Sequence, residues 1–142
     1  MHSAQCTALR HHAAMDAPRH PFPKNQSFRR RLGFALNGIR LVFRRENSFR
    51  TQSALAFAAG AACLLLAPGP GWAAAVALSA GLVLALELVN AAVEYLADCL
   101  HPGFSPGIGA AKDAAAGAVL AASLASLAVG AAMLWARFGA PW

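Results

Sequence analysis

Acidic side chains are scarce in this 142-residue chain, and three of them share one face of a predicted helix. Glu87 and Glu94 are seven residues apart, which is two helical turns, and Asp98 follows Glu94 by four residues. On a helical wheel the three carboxylates fall within about 40°, and Asn90 lies about 60° to one side. Apolar residues surround them, and a carboxylate in such surroundings normally faces a protein interior and has a function. The stripe therefore indicates a functional site.

Three kinds of chemistry use such a stripe. Hydrogen bonding between helices explains Asn90, but it explains two buried glutamates poorly. Proton or cation transport uses the same carboxylates, and so does metal-assisted phosphoryl transfer at a membrane surface where nucleotide is available. Carboxylate oxygens suit Mg²⁺, which keeps several waters and needs one or two carboxylates together with phosphate oxygens. The stripe contains no thiol or imidazole, so zinc and copper are disfavoured.

A second polar group follows a glycine-rich segment. Lys112 and Asp113 come shortly after residues 101–109, which contain three glycines but do not form a Walker A sequence. A lysine at this place either extends to the membrane interface or neutralises a phosphate group. The segment by itself is a weak phosphate signal, so both interpretations stay open on these residues.

Small residues repeat at every fourth position beyond Lys112. Such ridges allow helices to pack closely within a membrane. We expect three short helices to form a small bundle, and oligomerisation to help enclose the carboxylates. The two ridges are Ala118, Ala122, Ser126 and Gly130, and Gly117, Ala121 and Ala125.

The composition excludes several classes of protein. Apolar residues make up 58% of the chain, charged residues 13%, and the mean hydropathy is +0.47. Soluble globular proteins carry about 25% charged residues, so neither a disordered chain nor a typical soluble enzyme fits. The three cysteines share no metal-binding spacing and cannot all pair, which disfavours a disulfide scaffold. The predicted fold class is an all-α membrane protein.

Uncharged runs mark the expected membrane spans. Residues 51–86 carry no charge, and Pro68–Gly71 divides this run at a predicted turn. The expected spans are about residues 52–67, 72–96 and 114–136. At about 1.5 Å per residue the third crosses a hydrocarbon core of about 30 Å, whereas the first is short. We expect a polar loop from Asp98 to Asp113 between the second and third spans.

Ten of the twelve lysines and arginines precede residue 51. A basic arm binds nucleic acid or anionic lipid, and because a hydrophobic region follows directly, we expect a membrane partner and no nucleic acid. The positive-inside rule places the arm and Lys112 in the cytoplasm, and it places Pro68–Gly71 and the C-terminus outside. Residues 1–26 are expected to be a disordered basic tail, and residues 27–142 to form the membrane domain.

Residues 27–46 are expected to form a helix that lies on the membrane surface. Apolar residues recur there at helical spacing and arginines fill much of the remainder, which is the interfacial pattern. A soluble helix that packs on a partner protein is the alternative. The apolar stripe is Phe28, Leu32, Leu36, Ile39 and Phe43, and the flanking arginines are Arg29, Arg30, Arg40 and Arg44.

Four blocks, in this order and spacing, resemble the prokaryotic diacylglycerol kinase and undecaprenol kinase family. The blocks are Glu46-Asn-Ser-Phe-Arg50, Glu87-Leu-Val-Asn90-Ala-Ala-Val-Glu94, Asp98, and Ala111-Lys112-Asp113-Ala-Ala-Ala-Gly117-Ala. The resemblance covers roughly residues 28–135. It implies a homotrimeric bundle of three-span protomers, each with an amphipathic surface helix, in the bacterial cytoplasmic (inner) membrane.

The resemblance also implies roles for individual residues. Glu46 and Glu94 match the pair that holds Mg²⁺–ATP, and Glu87 matches the general base that takes the proton from the lipid hydroxyl. Asn90 matches a supporting residue that helps to hold this region in place. Nucleotide or phosphate contacts are implied for Asp98, Lys112 and Asp113.

The implied activity is ATP-dependent phosphorylation of a membrane lipid alcohol, with Mg²⁺ as cofactor. Diacylglycerol, giving phosphatidic acid, is the expected substrate; undecaprenol is the alternative, because the residues after Asp113 are closer to that branch. Phe104-Ser105 stand where family members often have Tyr-His, so this chain has neither a tyrosine hydroxyl nor a histidine ring at those two positions. A non-enzymatic ion or proton carrier is a more remote alternative, since a carrier does not need Glu46 and Lys112 clustered at the inner face.

Overall fold

The structure, a computed structural model, describes residues 26–103 and 105–139. Within these residues the chain consists of four α-helices joined by short connections, so the all-α prediction is confirmed. The helices are α1 (Phe28–Arg45), α2 (Asn47–Leu66), α3 (Pro70–Leu100) and α4 (Pro106–Phe138). The predicted tail, residues 1–26, lies outside the described residues except for Gln26.

Helix α1 occupies nearly the whole range that the sequence indicates for it. It begins after Ser27, whose carbonyl accepts the N–H groups of Arg30 and Arg31 at 3.0 and 3.1 Å. Its last residue is Arg45. Glu46 follows with an extended backbone (φ −101°, ψ 118°), which makes a corner before α2. The rest of the described chain leaves its apolar stripe uncovered. The exposed members are Phe28, Leu32, Leu36, Ile39 and Phe43.

The break predicted at Pro68–Gly71 is confirmed in part: residues 67–69 are not helical, whereas Pro70 and Gly71 already belong to α3. Helix α2 ends at Leu66, and Ala67 adopts a left-handed conformation with φ 44°. Gly69 has a φ of +96°, a backbone conformation that residues with a Cβ rarely adopt, so glycine suits this position. Pro70 then opens α3, where the helix needs no N–H donor.

The helices extend beyond the predicted spans at several ends, and the predicted polar loop from Asp98 to Asp113 is wrong. Helix α2 already begins at Asn47, α3 continues to Leu100, and α4 begins at Pro106. Only residues 101–105 connect α3 to α4. Charged residues mark where a helix leaves the apolar layer, but its backbone hydrogen bonds continue into the interface. Ser105 illustrates this, since its carbonyl accepts the N–H of Gly109 at 2.9 Å.

Three helices, α2, α3 and α4, are long and apolar enough to cross a membrane. Helices of 31 and 33 residues, as α3 and α4 are, extend about 45–50 Å, which exceeds the hydrocarbon thickness of about 30 Å. Their ends therefore reach the polar interface. Most large apolar side chains on the described helices are exposed, as expected when lipid is the solvent. These features fit an integral membrane protein.

The helices pack mainly through α3, which contacts α1, α2 and α4. A small core joins α1, α2 and α3 near the corner at Glu46; it consists of Val42, Phe49 and Ala91, with Leu84, Leu88 and Tyr95 partly buried against it. The ring of Phe43 meets that of Phe49 edge-on, with centroids 6.3 Å apart and planes at 90°. This core fixes α1, α2 and α3 relative to one another near the corner at Glu46.

The two small-residue ridges of α4 have different environments. Ala122 of the first ridge is buried, and Ser126 and Gly130 are partly buried within the described chain. Ala118 of the same ridge is exposed, and so are all three members of the second ridge. Three members of the first ridge therefore serve packing among the described helices, as small residues in membrane helices commonly do.

Replacing Phe49 tests the importance of the small core. Its ring is 4% exposed, so Phe49→Ala removes contacts with α1 and α3 and leaves a cavity at the corner. We expect the free energy of unfolding to fall by about 3–5 kcal/mol, measured by denaturant titration in detergent micelles. Phe57→Ala is the matched control, because Phe57 lies on the same helix and is 81% exposed. An equal loss in both variants would show that the corner core is not what stabilises the fold.

Candidate active site

Glu87 is the most deeply buried ionisable group in the described chain, with 5% of its surface exposed. It lies on α3, and its Oε2 accepts a hydrogen bond from Ser48 Oγ at 3.1 Å. Ser48 is near the start of α2, so the bond joins two helices. A buried carboxylate without a donor is strongly unfavourable. Because α2 begins at Asn47, Ser48 is in position to donate a hydrogen bond to Glu87.

Asn90 and Glu94 follow Glu87 along the stripe, toward the C-terminal end of α3. Asn90 Nδ2 donates to Glu94 Oε1 at 3.0 Å, one helical turn away. Asn90 Oδ1 is buried and has no hydrogen-bond partner among the described residues. Such an atom is an acceptor for a donor on a ligand, a metal-bound water or a second protomer. The amide thus orients the Glu94 carboxylate and keeps one acceptor free.

Glu46 reaches the same region from the corner between α1 and α2. Its Oε1 accepts a hydrogen bond of 2.6 Å from the hydroxyl of Tyr95. Tyr95 follows Glu94 on α3, and the charges of both Glu46 and Glu94 act on its phenol. Glu46 and Glu94 are thus both within electrostatic range of one phenol, although they are far apart in the sequence.

Lys112 and Asp98 form an ion pair where α3 ends and α4 begins. The distance from Lys112 Nζ to Asp98 Oδ1 is 2.9 Å, and each side chain is about one-third exposed (35% and 32%). Lys112 is also within electrostatic range of Glu94. Asp113, the next residue, is exposed, and the described residues form no hydrogen bond or ion pair with it. Lys112 is therefore placed beside the carboxylates, whereas Asp113 is open to a ligand.

The donor set can hold a hard divalent cation together with a ligand. Across residues 26–103 and 105–139, no group of three or more His, Cys, Asp and Glu is close enough to bind an ion alone. Mg²⁺ usually takes one or two carboxylates and completes its coordination with water and phosphate oxygens. Glu46, Glu94 and the free Oδ1 of Asn90 offer oxygen atoms, the ligand type that such a shared site needs. They do not form an all-protein metal cage.

An apolar groove lies between α1 and α3. Its volume is about 420 Å³ and its walls carry almost no polar surface. Tyr95 is one of its lining residues and donates a hydrogen bond to Glu46, so this residue connects the groove to the Glu46 carboxylate. The lining residues are Ala35, Gly38, Ile39, Leu41, Val42, Leu88, Ala92 and Tyr95. A hydrocarbon chain of a ligand fits this chemistry.

Two residues of the site, Ser48 and Tyr95, were not identified from the sequence. Ser48 is two residues after Glu46 in the block that carries the family resemblance. Tyr95 is the single tyrosine of the chain and is adjacent to Glu94. Their positions next to predicted site residues could have indicated a role in the site. Which residue each one bonds to, however, depends on how α2 and the corner pack on α3.

Residues 33–134 match the profile of the Prokaryotic diacylglycerol kinase family, which is well over half of the chain. No curated protein matches the chain. The matched range contains the corner, the stripe on α3 and the ion pair with α4. The chain therefore belongs to the prokaryotic diacylglycerol kinase family, a family of lipid kinases.

Proposed function

We propose that this lipid kinase transfers the γ-phosphate of ATP to diacylglycerol, forming phosphatidic acid at the cytoplasmic face of the bacterial inner membrane. The observation that carries the proposal is the buried Glu87, which has a fixed donor in Ser48 and lies on the same helix face as Glu94. A buried carboxylate that accepts one hydrogen bond keeps its other oxygen for a substrate hydroxyl.

Glu87 is the general base of the proposed reaction. It takes the proton of the lipid hydroxyl while the hydroxyl oxygen forms a bond to the γ-phosphorus. The bond between the γ-phosphorus and the β–γ bridging oxygen breaks, and ADP leaves with that oxygen. Positioning and electrostatic stabilisation provide most of the acceleration in such reactions. Burial of Glu87 excludes water as a competing proton donor.

Glu46 and Glu94 would hold Mg²⁺–ATP, and Asn90 would orient Glu94 through its amide. The cation would neutralise charge on the nucleotide phosphates. Lys112 adds a positive charge beside Glu94 and is proposed to contact the phosphates, with Asp98 holding its ammonium group. Asp113 is proposed to contact the nucleotide, because its carboxylate is exposed at the same end of α4.

The groove between α1 and α3 is the proposed place for part of the lipid chain. It is apolar, and its lining residue Tyr95 bonds to Glu46. Helix α1 would lie on the membrane as an amphipathic helix. Its apolar stripe is exposed, and none of its arginines forms an ion pair within the described chain. The exposed arginines are Arg29, Arg30, Arg31, Arg40, Arg44 and Arg45. Anionic headgroups complement these charges.

The active form is proposed to be a homotrimer. The described protomer leaves the acceptor of Asn90 unpaired and most of its large apolar side chains exposed. The second small-residue ridge of α4 is also exposed, and such ridges allow close contact between membrane helices. Assembly of protomers would enclose the polar stripe, which a three-helix protomer covers on one side.

The choice of lipid is tested by direct phosphate transfer. Purified protein in micelles, supplied with Mg²⁺–ATP, should phosphorylate diacylglycerol faster than undecaprenol. Undecaprenol is the second candidate because Ala114, Ala115, Ala116 and Gly117 resemble the undecaprenol kinase branch. Chelation should abolish transfer and added Mg²⁺ should restore it, because the site offers oxygen ligands. Faster transfer to undecaprenol would reverse the substrate assignment, and full activity in excess chelator would exclude the metal.

Glutamine substitutions separate the roles of the two glutamates on α3. Glu87→Gln should lower kcat by about 10²–10⁴-fold, because an amide does not accept the hydroxyl proton, and should leave Mg²⁺–ATP affinity nearly unchanged. Glu94→Gln should lower both nucleotide affinity, measured by calorimetry, and turnover. Ser79→Ala on the outer half of the same helix is the control and should retain activity. Normal kcat in Glu87→Gln, or normal nucleotide affinity in Glu94→Gln, would contradict the respective role.

Cysteine labelling tests the proposed topology. Ser27→Cys and Pro68→Cys are introduced singly into a variant in which Cys6, Cys63 and Cys99 are alanine. In intact spheroplasts an impermeant thiol reagent should label position 68 and should label position 27 only after permeabilisation. The reverse pattern would mean that the arm is external.

A further inference from the structure

The hydrogen bond between Tyr95 and Glu46 is the shortest side-chain contact described in the site. The phenol oxygen lies 2.6 Å from Glu46 Oε1, which is typical of a hydroxyl that donates to a charged carboxylate. Tyr95 is the single tyrosine among 142 residues. No step of the proposed reaction uses its hydroxyl, so the contact needs a separate explanation.

Glu46 stands where the chain is not helical, between α1 and α2. Its backbone N–H still donates to the Val42 carbonyl at 2.8 Å, and its carbonyl accepts the N–H of Arg50 at 3.3 Å. Its carboxylate, however, has Tyr95 as its one hydrogen-bond partner among the described residues. Within the described residues, that hydroxyl is therefore the one hydrogen bond that orients the partly buried Glu46 carboxylate.

The ring of Tyr95 is itself held in place. It packs against the core of Val42, Phe49 and Ala91, which joins three helices at the corner. The hydroxyl is therefore carried on a fixed ring, and Glu94 adjoins Tyr95 on the same helix. The phenol thus donates to the Glu46 carboxylate and is within electrostatic range of Glu94 and of Arg45. This arrangement is what a residue needs in order to set the position of one carboxylate relative to the other.

We propose that Tyr95 is a positioning residue that holds Oε1 of Glu46, so that Oε2 remains available for a divalent cation shared with Glu94. This inference rests on the proposed function, in which Glu46 and Glu94 are the cation ligands. Partners that orient a metal ligand through a hydrogen bond affect metal affinity by about 10–100-fold when they are removed. Tyr95 does not touch the reacting atoms and is not a catalytic residue.

Tyr95→Phe is the first test, since it removes the hydroxyl and keeps the packed ring. We expect the Mg²⁺ concentration for half-maximal activity to rise about 10-fold or more, while the KM for lipid changes less than about two-fold. Glu46→Gln should raise the Mg²⁺ requirement at least as much. In the Glu46→Gln background, Tyr95→Phe should add little, because both changes remove the same interaction.

A second readout does not depend on activity. Incorporation of 3-fluorotyrosine gives one ¹⁹F resonance, because the chain has one tyrosine. In metal-free protein we expect Glu46→Gln to move this resonance, since a charged acceptor is replaced by a neutral one. Ser48→Ala is the matched control, because Ser48 is two residues away and bonds to Glu87 instead. We expect the control to leave the resonance in place.

The possible results separate this inference from the function on which it rests. A resonance that does not respond to Glu46→Gln, or a wild-type Mg²⁺ requirement in Tyr95→Phe when Glu46→Gln is impaired, would overturn the positioning role alone. A wild-type Mg²⁺ requirement in Glu46→Gln would overturn Glu46 as a ligand and the positioning role with it. Equal increases in the KM for lipid and in the Mg²⁺ requirement of Tyr95→Phe would indicate general distortion and would also overturn the proposal.

Discussion

A carboxylate within an apolar helix bundle is stable only if a hydrogen-bond donor reaches it. This requirement determines how the helices are arranged around the carboxylates of α3 and the corner at Glu46. Each carboxylate on the stripe or at the corner has its donor from a neighbouring turn or helix. The four pairs are Glu87 with Ser48, Glu94 with Asn90, Glu46 with Tyr95, and Asp98 with Lys112. Three of the four join different elements, so the polar groups that form the site also fix the arrangement of the helices.

The helix boundaries follow from the same requirement. Helix α2 has to begin before the apolar run for Ser48 to reach Glu87, and the corner at Glu46 has to be extended for its carboxylate to turn toward α3. The apolar core around Phe49 holds these positions. At the opposite end of the bundle, by contrast, Arg137 donates to the Leu66 carbonyl at 3.3 Å, and no carboxylate is involved. The chemistry is thus confined to one end of a bundle that otherwise faces lipid.

Membership of a lipid kinase family gives this arrangement its meaning. Phosphoryl transfer to a lipid requires charged groups and an apolar surface within reach of them. The described chain has both, because Tyr95 lines the groove between α1 and α3 and bonds to Glu46. Tyr95 serves both requirements, because it lines the groove and also joins α3 to the corner through its hydrogen bond to Glu46.

The sequence by itself determined the all-α membrane class, the Pro-Gly turn and the stripe on α3, because charge distribution and helical periodicity are local properties. It did not determine where the helices end, and the loop expected from Asp98 to Asp113 is mostly helix, since charge marks the membrane interface and not the end of backbone hydrogen bonding. Only the tertiary structure decided that Ser48 bonds to Glu87 and Tyr95 to Glu46. Those contacts join residues 39 and 49 positions apart, and their formation depends on how separate helices pack.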